Sequence, residues 1–332
     1  MADVAAEVGV SPMTVSRAFR EDARISAKTR ERIREAADRL GYVLDGLAAG
    51  LSSRRSGFVA MTIPALNNGN YADTARGLTE GLRESGLDVL LGYTDYDKHE
   101  EERLVETFLR RRPEAVIVTG SAHTDRCRAL LKRSSVPVIE IWEMPDDPID
   151  RAVGFSNVEA GRKVAQHLFE QGYRRMAFIG GDAAMDTRGA ARLKGFSEAL
   201  AALGLPHDRR VSEGVPPVTM DQAATALDRL LRAWPDSEAV MCVSDLAAFG
   251  VLQAAKARGL RVPGDIAIAG FGAYELSAHA DPQITTVDAG ARDIGLRSAK
   301  QVLAALSDPD GDSRTVRTQV RLLARASTLR CQ

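Results

Sequence analysis

The chain has little cysteine, almost no net charge and no long run of apolar residues. Its 332 residues include three cysteines, Cys127, Cys242 and Cys331, which lie far apart and lack the spacing of metal ligands. So little cysteine favours a reducing compartment over a secreted disulfide scaffold. The first residues lack the basic and apolar regions of a signal peptide, and no segment resembles a membrane span. We therefore expect a cytoplasmic protein without membrane association.

Sequence patterns of catalysis are also missing. The chain has no phosphate-binding P-loop, no His-Glu-x-x-His zinc-protease pattern and no Gly-x-Ser-x-Gly nucleophile turn. Gly270-Phe271-Gly272 follows a predicted strand, but the remainder of a dinucleotide-binding fingerprint is absent. The five histidines are scattered, and a solvated or capping role is the simplest interpretation of each. We predict that the protein is not an enzyme and that it holds no cofactor and no metal.

The amino-terminal residues show the pattern of a helix, a tight turn and a second helix. The first helix has an apolar stripe formed by Val4, Ala5 and Val8. Gly9 can adopt the positive φ that ends a helix, and Ser11 followed by Pro12 is typical of a helix start. Val15 and Ala18 then face the first helix. The rest of the second helix points outward: Met13, Thr14, Ser16 and Arg17.

A third helix follows, with Ser26 as its cap and Gly41 at its end. Its apolar positions fall at helical spacing: Ile33, Ala36, Ala37 and Leu40. Its arginines alternate with acidic residues, so they form either a phosphate-contacting face or a solvated one. Three helices of this kind predict a helix-turn-helix DNA-binding domain over residues 1–42, whose second helix lies in the major groove.

The near-zero net charge hides an uneven distribution. The formal charge of the chain is −1, but residues 1–56 carry ten Lys and Arg against eight Asp and Glu. This amino-terminal part, called the head below, therefore has a charge of +2, and the remainder has −3. A small basic head on an acidic body fits local, specific contact with DNA. Between them, residues 43–56 form a linker with apolar residues at helical spacing, too short to be helical alone. Such a segment is suited to folding when it docks.

From Phe58 onward, apolar runs alternate with helical patterns. The runs predict parallel strands near 58–63, 89–92, 115–118 and 138–141, and again near 153–155, 176–179, 239–243 and 266–269. Helices are predicted at about 72–85, 98–111, 124–133, 158–171, 187–203, 219–232, 245–258 and 290–306. This α/β alternation predicts two doubly wound parallel sheets. Ligands of such sheets bind beyond the carboxyl ends of the strands, so a site is expected in the cleft between two lobes.

Several stretches resemble the lactose-repressor (LacI/GalR) family, and within it the gluconate-repressor branch. In the head they are Val4-Ala5, Gly9-Val10-Ser11, Thr14-Val15-Ser16-Arg17, Ile25-Ser26-Ala27-Lys28-Thr29-Arg30 and Leu40-Gly41-Tyr42. In the core they are residues 152–157, 192–196 and 259–271. The resemblance implies a core of two lobes with the periplasmic-binding-protein fold. The chain would then pass between the two lobes three times. We expect one lobe of about 57–150 plus 275–306 and a second of 151–274 plus 307–332.

The resemblance also implies which residues contact DNA. In the family the second helix of the head reads base edges, and here it carries Ser11, Pro12, Met13, Thr14, Ser16 and Arg17. Of these, Arg17 is expected to read guanine. A hinge-helix leucine of the family wedges into the central base step of the operator; Leu51 matches it, and Ala48 packs against its dimer mate. A homodimer on near-palindromic double-stranded DNA is therefore expected.

Four side chains are candidates for contact with a small-molecule effector. By resemblance, Arg192 is the arginine that grips a sugar hydroxyl or carboxylate, and a surface position on its helix is the alternative. Arg188, one turn earlier, either adds a second cation or is solvated. Tyr71 and Trp142 either cover an apolar face of the ligand or belong to the core.

Asp245 and Gly272 also fall at effector positions of the family. Asp245 either contacts the ligand or caps a helix, and Ser244 replaces the usual asparagine before it. Gly272 stands where most sugar-binding relatives carry an aspartate that accepts bonds from sugar hydroxyls. Loss of that carboxylate beside two arginines favours an anionic ligand. Glu140, Glu143 and His123 lie in the same predicted cleft loops; ligand contact by His123 stays open.

Together these patterns predict a DNA-binding repressor at the nucleoid whose operator affinity is switched by a small sugar acid such as gluconate. A regulator of another pathway that responds to a sugar or phosphosugar is the alternative. A solute-binding protein would explain the lobes but not the head, and an enzyme would need a catalytic dyad that the sequence lacks. Repression or activation, and a dimer or a tetramer, stay open.

Overall fold

The computed structural model describes residues 1–19, 24–42, 56–309, 311 and 314–330. The chain divides into two compact units, Met1–Ser56 and Gly57–Gln332. The first contains the helical head, and the second is an α/β core. Within these described ranges, no helix combines the length and the apolar composition that crossing a lipid bilayer requires.

The head contains α1 (Ala2–Val8), α2 (Pro12–Phe19) and α3 (Ala27–Arg39). Gly9 ends α1 with a φ of 73°, a left-handed conformation that glycine adopts without strain. At the start of α2, the backbone N–H of Thr14 donates to Ser11 Oγ at 3.2 Å. The residues predicted to face inward are buried: Val4, Ala5, Val8, Val15, Ala18, Ile33, Ala36 and Ala37. The helix-turn-helix geometry is therefore present.

The buried face of α3 is shorter than predicted. Ser26 caps the helix by accepting the backbone N–H of Thr29 at 3.2 Å, as expected. At the other end the helix stops at Arg39, and Leu40 is the C-cap. Leu40, although it continues the apolar spacing of the helix, lies beyond its end and is 46% exposed.

The first lobe of the core is built on a six-stranded parallel sheet. Its strands are β1 (Phe58–Ile63), β2 (Asp88–Tyr93), β3 (Ala115–Thr119), β4 (Val138–Ile141), β5 (Arg151–Gly154) and β11 (Thr315–Arg317), in the order β11-β5-β4-β3-β1-β2. The central strands are buried and almost wholly apolar, as a parallel sheet covered on both faces requires. The helices of this lobe are α4 (Gly69–Leu82), α5 (Lys98–Arg110), α6 (Asp125–Arg133) and α12 (Ala291–Ser307).

The second lobe has a four-stranded parallel sheet with the order β7-β6-β8-β9. The strands are β6 (Met176–Gly180), β7 (Arg210–Ser212), β8 (Ala239–Cys242) and β9 (Ala267–Ala269). The accompanying helices are α7 (Asn157–Glu170), α8 (Thr187–Ala202), α9 (Met220–Ala233), α10 (Asp245–Ala257) and the short α11 (Glu275–His279). A separate antiparallel pair joins β10 (Thr286–Asp288) to β12 (Arg321–Leu323).

The boundary between the lobes differs from the expected one. Residues 151–154 were placed in the second lobe, but β5 pairs in parallel with β4 of the first sheet. The carboxyl-terminal β11, also expected in the second lobe, pairs with β5. Parallel neighbours usually need a helical crossover, so a strand that follows β4 without a helix looked like the start of a new sheet. Only after Gly154 does the chain enter the second lobe, with α7 packed on α8.

The helices α7 and α8 cross at unusually close range. A Cβ atom built on Gly161 would lie 2.0 Å from the carbonyl oxygen of Arg192, and one built on Gly195 would lie 1.8 Å from the carbonyl oxygen of Val158. Both distances are far below any real contact, so the two backbones meet only because these positions lack side chains. This crossing fixes the height of Arg192 above the second sheet.

A buried ion pair occupies the first lobe beyond β3 and β4. The His123 ring, 2% exposed, has Nδ1 2.7 Å from Glu101 Oε2 and Nε2 3.6 Å from Glu140 Oε1. Burial alone lowers the pKa of His123, but the two carboxylates outweigh it and raise the pKa to about 9. Glu101, His123 and Cys127 could in principle share a metal, since their donor atoms lie within 4.8 Å of one another. Because Nδ1 already contacts Glu101, we assign the group as an ion pair.

We expect Gly195→Ala to destabilise the core. Alanine gains about 1 kcal/mol in helix propensity, but its methyl group must force α7 and α8 apart, for a net loss of about 1–3 kcal/mol. Urea unfolding measures the change. Gly69→Ala is the matched control, because Gly69 begins α4 and a Cβ there meets nothing within 4 Å. Equal stability of the Gly195 variant and the wild type would contradict the close crossing.

We expect His123→Gln to lower the unfolding free energy in a pH-dependent way. The folded pKa of about 9 lies above the ordinary histidine value of about 6.5, so the charged ring stabilises the fold fully below pH 6.5. This contribution, about 3 kcal/mol, disappears as the pH rises through 9. Urea unfolding at pH 6 and pH 9.5 tests it: the wild-type advantage over the variant should shrink by that amount. A difference that stays constant with pH would show that the ring is neutral.

Candidate functional site

The DNA-facing candidates lie together on one side of α2. Ser11, Pro12, Met13 and Arg17 are exposed, and Met13 has 61% of its surface accessible. Thr14 and Ser16 are half-buried beside them. The opposite side of the helix is anchored by the buried Val15 and Ala18, so the exposed side can approach a groove without disturbing the core of the head. Ala48 and Leu51 lie outside the residues that the structure describes.

A cavity opens in the cleft of the core. It lies where the loops after the strands of both sheets meet, the position expected for α/β sheets. Four of the predicted effector residues line it: Tyr71, Trp142, Arg188 and Arg192. The other lining residues are Asn67, Asn68, Asn70, Tyr96, Asp186, Pro217, Val218, Val243, Ser244, Leu246, Phe271 and Tyr274.

Arg192 extends from the second turn of α8 and is 7% exposed. Its Nη1 donates to Asn157 Oδ1 at 2.7 Å, and its guanidinium lies 4.2 Å above the ring of Phe271. The Nε atom is buried and has no hydrogen-bond partner within the part of the chain that the structure describes. Burial lowers the pKa of Arg192, and the nearby carboxylate of Asp186, 3.9 Å from Nη2, only partly opposes this. An anion in the cavity would therefore stabilise this side chain.

Asp186 determines how α8 begins. Its carboxylate caps the helix by accepting the backbone N–H of Gly189 at 2.8 Å. A Cβ on Gly189 would lie 2.2 Å from that same carboxylate, so the close cap requires glycine. The cap directs the first two turns of α8, with Arg188 and Arg192, toward the cavity.

Four aromatic rings form a continuous wall beside the arginines. The ring centroids of Tyr71 and Trp142 are 5.6 Å apart, those of Trp142 and Phe155 are 5.7 Å apart, and those of Phe155 and Phe271 are 6.0 Å apart. Trp142 also donates from Nε1 to Thr74 Oγ1 at 3.2 Å. Tyr71 and Trp142 thus pack in the core and line the cavity at once.

Asp245 does not line the cavity, so its expected effector contact is corrected. Its two carboxylate oxygens accept bonds from Thr286 Oγ1 at 2.6 Å and from the backbone N–H of Tyr274 at 2.8 Å. It is not the helix cap either, because Ser244 caps α10. Burial raises the pKa of Asp245 to about 6, and these hydrogen bonds oppose the rise. The residue fixes the loop that carries Tyr274.

Gly272 is likewise absent from the cavity lining. Its φ is 127°, and a Cβ there would lie 2.5 Å from the Tyr274 ring and 2.8 Å from Asn70 Nδ2. Tyr274 and Asn70 therefore occupy the space that a carboxylate at this position would need, and both line the cavity themselves. The polar groups of this wall are an amide and a phenol rather than a carboxylate.

The other acidic cleft candidates point elsewhere. Glu143 accepts from the backbone N–H and the hydroxyl of Ser121, at 2.7 and 2.6 Å. Glu140 and His123 belong to the buried ion pair of the first lobe. The cavity residues that the sequence missed include Asn70, Tyr96 and Tyr274. They come from separate segments, the start of α4, the loop after β2 and the loop before α11, without a shared pattern; among the missed residues, Asp186, at a capping distance before Gly189, left a local signal.

Comparison with known proteins agrees with this geometry. A family model described as "Bacterial regulatory proteins, lacI family" matches residues 1–45, and one described as "Periplasmic binding protein-like domain" matches residues 165–328. The HTH-type transcriptional regulator GntR of Pseudomonas aeruginosa is 33% identical, over 98% of this chain and 94% of that protein. This relative supports the gluconate-repressor branch expected from the sequence.

Two solved structures extend the comparison. A LacI-family transcriptional regulator from Silicibacter pomeroyi has a TM-score of 0.93 at 32% identity, covering 99% of each chain. A complex of the transcriptional regulator CelR with cellobiose has a TM-score of 0.72 at 28% identity, covering 98% of each chain. Likeness at this level, over nearly the whole length of each protein, includes the head as well as both lobes. The chain belongs to the LacI family of DNA-binding transcriptional regulators and is not an enzyme.

Proposed function

We propose that the protein is a repressor that binds a near-palindromic operator as a homodimer and responds to a small sugar acid of the gluconate type. The observation that carries the effector proposal is Arg192, a buried arginine on the cavity wall whose Nε has no partner among the described residues. Such a regulator works where the chromosome is, in the cytoplasm at the nucleoid.

The head is proposed to read the operator with α2. Ser11, Pro12 and Met13 are exposed where the helix begins, and Arg17 is exposed one turn later, so these side chains can reach base edges. Thr14 and Ser16 complete this surface. Outside the described residues, Leu51 is proposed to wedge into the central base step, with Ala48 against its counterpart in the dimer.

The edge of the first sheet supports the homodimer. The edge strand β2 exposes three large apolar side chains, Leu90 at 36%, Leu91 at 44% and Tyr93 at 42%. An exposed apolar edge strand is an aggregation hazard unless another surface covers it. A second copy of this chain is the proposed cover, because two heads are needed for an operator with two half-sites.

The chemistry of the cavity supports an acid over a neutral sugar. Asn67, Asn68 and Asn70 offer amides to hydroxyl groups, the aromatic wall can cover a carbon face, and Arg192 offers a cation. The cellobiose complex of CelR shows that a neutral sugar can occupy such a fold, so a neutral sugar is the second candidate. A cation on the cavity wall whose charged form is disfavoured by burial favours the acid.

We expect Arg17→Ala to weaken operator binding by about 1–3 kcal/mol and to relax preference at one base position. Binding-site selection and fluorescence anisotropy at fixed salt measure both effects. Arg103→Ala is the control, because Arg103 is exposed on the core and pairs with Glu100. A selected site without two-fold symmetry, or unchanged preference in the Arg17 variant, would count against this role of the head.

We expect Arg192→Ala to abolish effector binding and the effector response while operator binding persists. Calorimetry should include gluconate, 6-phosphogluconate, glucose and a purine, and operator titrations should show coupling of about 1–3 kcal/mol in the wild type. Lys194→Ala is the matched control, since Lys194 lies on the same helix with its side chain 67% exposed. Tight binding of glucose or a purine, with none of any acid, would overturn the proposal.

A further inference from the structure

Arg188 connects the two lobes. It extends from α8 in the second lobe, and both of its hydrogen bonds reach the first lobe. Nη2 donates to the hydroxyl of Tyr71 on α4 at 3.1 Å, and Nη1 donates to the carbonyl oxygen of Thr119 at the end of β3 at 3.3 Å. The residue is 8% exposed. These two hydrogen bonds join the lobes directly.

The first lobe has a fitted place for this guanidinium. Gly120 follows β3 with a φ of 93°, and a Cβ there would lie 2.5 Å from Nη1 of Arg188. The same Cβ position is 3.6 Å from Glu143 Oε2, so both the guanidinium and this carboxylate lie near Gly120. The Tyr96 ring lies 5.9 Å from the guanidinium carbon. Aromatic, carbonyl, hydroxyl and carboxylate groups of one lobe thus surround a cation of the other.

The two cleft arginines differ in how their charges are compensated. Burial opposes the charge of Arg188, but Tyr71, Glu143, Tyr96 and Asp186 outweigh it and raise its pKa above the ordinary value. For Arg192, burial prevails and the pKa is lowered. Of these two arginines, Arg192 is the one whose buried Nε has no hydrogen-bond partner among the described residues. Arg188 is therefore compensated mainly by groups of the first lobe, whereas Arg192 is compensated in part by Asn157, Phe271 and Asp186 and keeps an unpaired N–H.

We infer that Arg188 is a clamp between the lobes rather than an effector ligand, and that the cleft consequently selects an effector with a single anionic group. Arg192 alone then receives that group, so a monocarboxylate fits and an added phosphate does not. The role of Arg188 as a clamp rests on its contacts in the structure, whereas the selection of a singly charged effector rests on the proposed function. Asp186, a carboxylate on the cavity wall, adds repulsion toward a second anion.

The clamp is tested without any effector. Hydrogen exchange of the full chain should become about fivefold faster in segments 115–124 and 187–196 of Arg188→Met, as expected for loss of about 1 kcal/mol of hydrogen bonding. Tyr71→Phe, which removes one acceptor and keeps the ring, should change the same segments by a smaller factor. Lys194→Met is the control for loss of a cation on α8. Exchange equal to that of the wild type in both Arg188→Met and Tyr71→Phe would overturn the clamp.

The charge selection is tested by calorimetry with gluconate and 6-phosphogluconate. The wild type should bind gluconate at least about tenfold more tightly than its phosphate, a difference of about 1.4 kcal/mol. Arg192→Met should lose gluconate binding while its exchange in segment 115–124 stays that of the wild type. Equal affinity for both acids, or loss of acid binding in Arg188→Met with unchanged exchange, would make Arg188 a ligand and overturn the inference. Failure of the wild type to bind any acid would refute the proposed effector and this selection. The role of Arg188 as a clamp would then be decided by the hydrogen-exchange experiment alone.

Discussion

A guanidinium group can be buried only where other groups replace the water that it loses, and the cleft of this protein is organised around two such burials. Each arginine needs hydrogen-bond acceptors, a nearby opposite charge or an aromatic face. Those needs account for the most specific features of the site: the Asp186 cap, the amide of Asn157, the ring of Phe271 and the open space over Gly120. The wall residues are arranged to compensate charge as much as to bind a ligand.

Backbone packing places these charges. The glycines at the α7–α8 crossing bring the two helices so close that α8 has almost no freedom to slide. Asp186 then fixes the direction in which the helix starts. In the same lobe, Asp245 accepts hydrogen bonds from the backbone of Tyr274 and from Thr286, which holds the Tyr274 loop, and it does not line the cavity. Small residues and buried polar caps, rather than the lining side chains alone, therefore set the geometry of the site.

The sequence predicted the positions of the helices and most strands well, but it predicted less well which strands and side chains pair with one another. Helices were predicted within a few residues because apolar spacing and caps are local signals, as for α5 and α8. The three-residue strands β7 and β11 are too short to show a period, and sheet membership depends on partners far away in the chain. Arg188 illustrates the same limit, since its partners Thr119 and Tyr71 are 69 and 117 residues away. Arg192 was predicted because its neighbours in sequence resemble a family, not because its environment could be read.

The membership of β5 and β11 in the first sheet has a mechanical consequence. The chain leaves the first lobe after Gly154, returns to it before α12, and leaves it again after β11, so three backbone segments connect the lobes. Any movement of one lobe relative to the other must therefore be absorbed by φ and ψ changes in all three segments together. A single substitution in one of them acts on a motion that the other two share.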